Sequence, residues 1–181
     1  MPLMTALKPF AYVVMVLVGE EGAGPHDIVR MMREGRWFWN GSDSQFYAEP
    51  KRLEELGYLV SHREPGQTRD RTVYHLTSKG REALAEWLAT PSNLPKVQEE
   101  QVVRLLGSEY VPDETVLESV GPMREKLLAD LETIEHLDRR APNLPRRARA
   151  LHINHNLARR MIKAHLAWLD EVEAEYGGDP S

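Results

Sequence analysis

Between residues 58 and 76 the apolar pattern of this chain changes period, and that change limits the fold more than any other feature. Up to Gly57, apolar residues recur at spacings of three and four. Tyr58 to His62 and Thr72 to Leu76 are instead rich in β-branched and aromatic residues, and the stretch between them carries a Pro65-Gly66 turn signal among charges. Two strands joined by a polar loop make a hairpin. Thr77 can then cap a further helix through Ala83, Leu84, Trp87 and Leu88, which Pro91, Asn93 and Pro95 break, so residues 90 to 96 read as a linker.

Ahead of the hairpin the pattern predicts three helices. Phe10, Val13, Val14, Leu17 and Val18 fall on one helical face behind Pro9, and Gly19, Gly22 and Gly24 close that segment. Pro25 opens a short second helix through Ile28, Met31 and Met32 that ends near Gly35, and residues 36–41 connect it to a third. Ser42, Asp43 and Ser44 are candidate caps for that third helix, which turns Phe46 and Leu53 inward and stops at Gly57.

Beyond the linker there is no strand signal. Val103, Leu106 and Tyr110 mark one helix, and Asp113 can cap a longer one bearing Val116, Val120, Met123, Leu127, Leu131, Ile134 and Leu137, with Gly121-Pro122 as its candidate bend. After residues 142–145, Leu151, His155, Ala158, Ile162, His165, Leu169, Val172 and Tyr176 alternate gaps of four and three, a narrow seam suited to another helix. The expectation is that a second copy of the chain fills it.

Three helices, a hairpin and a helix are the layout of a winged helix-turn-helix, in which the third helix enters the major groove and the hairpin wing reaches phosphates. The expected fold is therefore mainly α: a winged-helix DNA-binding domain over residues 1–90, then an all-helical dimerisation domain over residues 97–176. Ser44, Gln45, Tyr47, Lys51 and Arg52 supply hydrogen-bonding and cationic groups early on the third helix, and Gln67, Thr68, Arg69 and Arg71 do so at the wing. Gln45 can donate and accept at once, as adenine requires. One winged helix reads few base pairs, so a homodimer on a palindromic duplex is the expected arrangement.

The sequence resembles the PadR family of transcriptional regulators. The resemblance lies in Phe46-Tyr47, in Lys51-Arg52-Leu53-Glu54-Glu55-Leu56-Gly57, in Val73-Tyr74-His75-Leu76-Thr77-Ser78-Lys79-Gly80 and in Trp168-Leu169, and it spans nearly the whole chain. It implies a dimer that binds DNA, usually as a repressor, often released by a small molecule that is commonly aromatic. Pro50 stands where the family pattern has a leucine facing the core. Inside a helix, proline removes a backbone hydrogen bond and clashes with the preceding turn, so the third helix is either kinked at Pro50 or begins later than drawn.

Charge weighs against this reading only in part. The net charge of -5 is unusual for a phosphate binder, but Ser44 to Arg81 holds seven basic residues against five acidic ones, a local balance of 7 − 5 = +2. A winged-helix module that binds protein rather than DNA is the alternative. Trp37, Trp39, Trp87 and Trp168, with Phe38, are candidate walls of an aromatic ligand pocket, although aromatic side chains more often serve packing. His152 and His155 have metal-ligand spacing without a completing third ligand, so no metal is expected. With no cysteine, no Gly-rich phosphate loop, no nucleophile elbow and no His-Glu metal motif, neither an enzyme, a cofactor nor a disulfide framework is expected. No apolar run is long enough to span a bilayer and no targeting segment is evident, so a cytoplasmic protein without membrane attachment is the expectation.

Overall fold

The computed structural model describes residues 7–35, 37–39, 41–65 and 70–178. The chain divides into two compact units, Met1–Leu94 and Pro95–Ser181.

In the first unit the order is α1 (Pro9–Val18), α2 (Pro25–Glu34), α3 (Asp43–Glu55), β1 (Leu59–Glu64), β2 (Arg71–Leu76) and α4 (Ser78–Leu88). The two strands pair antiparallel from Leu59 opposite Leu76 to Glu64 opposite Arg71, and Ala23 adds a bridge to Tyr74 on the outer side of β2. This is a winged helix-turn-helix. Its core joins Val14 and Met15 of α1, Ile28 of α2, Phe46 and Leu53 of α3 and Leu59 of β1. The buried face of α1 is Ala11, Val14, Met15 and Val18, while Phe10, Val13 and Leu17 are only half-buried. The expected stripe was thus rotated, because a helix that is apolar nearly all round gives periodicity little to choose by.

Two glycines of the family-like segments have steric reasons. Gly57 turns the chain from α3 into β1 at φ 77°, a conformation that disfavours other residues. At Gly80 a Cβ would lie 2.2 Å from the Tyr58 carbonyl oxygen. Thr77 ties the same corner: its hydroxyl donates to the Gly57 carbonyl at 2.7 Å and accepts from the Gly80 N–H at 3.1 Å, capping α4.

The helix α3 begins at Asp43 and runs through Pro50 to Glu55, so of the two alternatives at Pro50 a later start does not hold. Pro50 is fully buried, at the core-facing place where the family pattern has leucine. Its apolar ring packs as a side chain should, while the Phe46 carbonyl loses the donor that an N–H at this position would provide.

In the second unit, α5 (Glu100–Leu106) precedes two long helices, α6 (Asp113–Arg140) and α7 (Ala148–Tyr176). They run antiparallel: Arg124 of α6 holds Asp170 and Glu173 near the end of α7, and Asp138 meets His152 and His155 near its start. Between them lie Val116, Val120, Leu127 and Ile134 from α6 and Ala158, Ile162, Leu169 and Val172 from α7, all buried. Within one chain, His155, Ala158, Ile162, Leu169 and Val172 of the expected dimer seam are buried, while Leu151 and His165 are half-buried. The centre of that seam is filled by α6 of the same chain, because a four-three repeat specifies that a helix packs there and not which molecule supplies it.

Two smaller expectations also change. Val103, Leu106 and Tyr110 form no buried stripe, being 67%, 80% and 82% exposed, and Tyr110 falls in a separate 3-10 turn. Asp113 is the first helical residue rather than a hydrogen-bonding cap, with Pro112 preceding it. No helix among the described residues is long and apolar enough to cross a membrane.

Candidate nucleic-acid interface

The outward face of α3 is set by what anchors its inner face. Phe46, Pro50 and Leu53 are buried, which leaves Ser44, Gln45, Tyr47, Lys51 and Arg52 toward solvent. Tyr47 and Lys51 stand one helical turn apart and so share a face. Lys51 has no hydrogen-bond or ion-pair partner among the described residues.

The other expected readers are engaged within the protein. Gln45 closes a capping box: the Ser42 N–H donates to its Oε1 at 3.0 Å, and its own N–H donates to the Ser42 hydroxyl at 3.4 Å. The capping bond takes one lone pair of Oε1 and leaves the second, with the side-chain NH2, for another partner. The Ser44 hydroxyl lies 2.9 Å from that of Ser42. Arg52 is held by Glu49 through contacts of 2.5 and 3.0 Å, and these hydrogen bonds raise the guanidinium pKa above its ordinary value.

Similar pairing surrounds the helix. Arg33 at the end of α2 is hydrogen-bonded to Asp43 at the start of α3, which raises its pKa. Arg71, expected to reach DNA from the wing, contacts Asp27 of α2 at 3.3 Å and Glu64 at 3.7 Å. Gln67, Thr68 and Arg69 lie outside the described residues.

Sequence reasoning missed His26. It occupies the first turn of α2, and its Nδ1 lies 2.8 Å from the Tyr47 hydroxyl, with the rings edge to face. No local spacing signals a contact between residues 21 apart.

Of the tryptophans, Trp39 packs against the core of the first unit and Trp87 stacks on Tyr12 at 4.8 Å, their planes 3° apart. Trp168 is half-buried on α7. A cleft of about 230 Å3 lies within the second unit, lined by Gln101, Arg104, Leu105 and Gly107 on one side and by Val111, Thr115, Val116, Ser119, Val120 and Met123 on the other. None of the four tryptophans lines it.

Residues 15–86 match the transcriptional regulator PadR-like family, and residues 97–176 match the virulence activator alpha C-terminal family. Residues 15–86 thus form a PadR-like transcriptional regulator domain. Such regulators are in general not enzymes. No curated protein matches the sequence.

Solved structures of PadR-like proteins share the fold along nearly the whole chain. The PadR-like transcriptional regulator BC1756 from Bacillus cereus is 17% identical, with a TM-score of 0.83, over 96% of this chain and 98% of that one. Bacillus subtilis PadR in complex with operator DNA is 19% identical, with a TM-score of 0.77, over 93% and 99%. The same protein in complex with p-coumaric acid is 19% identical, with a TM-score of 0.70, over 94% and 100%.

Proposed function

We propose that this PadR-like regulator is a homodimeric repressor that grips a palindromic duplex through α3 and the wing and is released by a small aromatic ligand. The carrying observation is the outward face of α3, where Tyr47 and Lys51 project while Phe46, Pro50 and Leu53 fix the other side in the core. A helix held in this way presents its side chains to a major groove with little freedom left to lose. In this reading residues 1–90 bind DNA and residues 97–176 pair the copies. The duplex in complex with Bacillus subtilis PadR supports the first role.

Pairing needs an apolar surface, and the α6–α7 seam is already filled. Leu128 on α6 and Ile153 and Leu157 on α7 are exposed outside that seam and supply one. The p-coumaric acid complex of Bacillus subtilis PadR supports an aromatic effector, for which Trp37, Trp39, Trp87 and Trp168 remain the candidate contacts. Arg33, Arg52 and Arg71, each held by a carboxylate, favour the second reading of a protein-binding module. Selection of bound sequences from random duplexes, with the shift assay repeated as salt is raised, separates the two. Recovery of a palindromic sequence bound less tightly at high salt supports the repressor. Binding to duplexes that is absent or indifferent to salt favours a protein partner.

A further inference from the structure

The contact between His26 and Tyr47 carries an inference that rests on α3 being the DNA-facing helix and goes beyond it. We propose that His26 is a DNA-contacting residue that forms, with Tyr47, a donor pair for a backbone phosphate of duplex DNA, and that the pair takes up a proton as the phosphate binds. Both side chains are exposed, one in the first turn of α2 and the other in the second turn of α3. The first helix of a helix-turn-helix crosses the DNA backbone beside the helix that reads the groove, so a phosphate is the group this position meets.

The direction of the shared hydrogen bond decides what the pair can offer. A neutral imidazole shares the 2.8 Å contact in one of two ways: with its hydrogen on Nδ1 it donates to the phenol oxygen and leaves the phenol hydrogen as the one outward donor, and with its hydrogen on Nε2 it accepts the Tyr47 O–H at Nδ1. In that second form the phenol hydrogen is committed inward and Nε2–H is the pair's one outward donor. When a proton from solvent binds Nδ1, the N–H donates to the phenol oxygen and the phenol hydrogen turns free. The pair now presents two donors and a positive charge. A phosphodiester only accepts hydrogen bonds and is an anion, so it favours the protonated pair. On dissociation the proton returns to solvent.

The surrounding charges leave that anion role open. On α2, Asp27 is held by Arg30 at 3.1 Å and, from β2, by Arg71 at 3.3 Å. On α3, Asp43 is hydrogen-bonded to Arg33 from the end of α2, and Lys51 stands one turn beyond Tyr47. The nearby carboxylates have cations already, whereas Lys51 adds positive charge on the side of Tyr47.

The test is the affinity of the full chain for a short duplex of random sequence, at constant ionic strength, from about pH 8 to about pH 6, where histidine changes charge. Wild-type binding is expected to tighten by about three- to tenfold as pH falls. His26→Gln should lose that gain, apart from any part owed to His62 and His75 in the hairpin. His26→Arg should bind at about pH 8 as tightly as wild type does at about pH 6. Tyr47→Phe should keep only part of the gain. The proposal is overturned if His26→Gln keeps the whole wild-type gain, if His26→Arg has no advantage at the higher pH, or if Tyr47→Phe titrates as wild type does. Lys51→Ala separates the two levels. If it weakens binding at every pH while those variants show no loss, the role of His26 fails alone; if it changes nothing, the assignment of α3 and the role of His26 fall together.

Discussion

Gln45 Oε1 accepts the Ser42 N–H at 3.0 Å, and this bond gives Gln45 a part in starting α3, the helix proposed to face DNA. Gln45→Ala should cost about 0.5 to 1 kcal/mol of stability, because an N-terminal N–H of α3 loses its side-chain acceptor. DNA affinity should fall equally on selected and scrambled duplexes. Gln45→Glu keeps the acceptor and should keep the melting temperature. A loss confined to the selected duplex would restore Gln45 as a base reader.

The pairing of Arg52 with Glu49 holds back a cation that DNA could use. Glu49→Gln should raise affinity for a random duplex by about two- to fivefold and steepen the dependence of log affinity on log salt by roughly one ion. Anisotropy titrations at several salt concentrations measure both. An unchanged salt slope would mean that Arg52 does not approach phosphate.

Two substitutions in α7 separate folding from pairing. Ile162 is fully buried beneath α6, so Ile162→Asp should lower stability by about 3 kcal/mol or more and unfold the hairpin of helices. Leu157 is exposed, so Leu157→Asp should leave the circular dichroism intact while shifting sedimentation toward monomer. An Ile162→Asp protein that stays folded and merely dissociates would return the seam to the dimer interface.

Asp138 ties the start of α7 to the end of α6. Burial alone would raise its carboxyl pKa, but hydrogen bonds from His155, His152 and Arg159 outweigh that and hold it below the ordinary aspartate value. A folded-state value below the unfolded one means that this contribution to stability is complete above the ordinary aspartate range and disappears as pH falls through the lowered value. Asp138→Asn should lower the melting temperature near neutral pH and bring the two proteins closer together in strong acid. A difference that stays constant with pH would show that the charge of Asp138 is irrelevant.

Much of the fold was legible because its signals are local. The change of period at Tyr58, the Thr77 cap and the Gly57 turn each depend on residues a few positions apart, and each stands where the sequence places it. What was not legible depends on partners distant in sequence. Nothing near Arg71 announces that Asp27, 44 residues away, takes its guanidinium, and nothing near Tyr47 points to His26. The seam on α7 reads as a helix-packing surface, and within one chain α6 packs on its centre, a partner that periodicity could not name because it carries no information about connectivity. Pro50 shows the same limit: its inward place followed from the pattern, but a buried proline inside a continuous helix did not, because packing overrode propensity.

The central claim is that the exposed face of α3 binds duplex DNA, and Lys51→Ala tests it most directly. Affinity of wild type and variant for a random duplex should be measured across a range of salt. The account predicts that wild-type affinity falls steadily as salt rises, that Lys51→Ala binds more weakly on selected and random duplexes alike, and that its salt slope is shallower by about one ion. Equal affinities and equal slopes for the two proteins would contradict it.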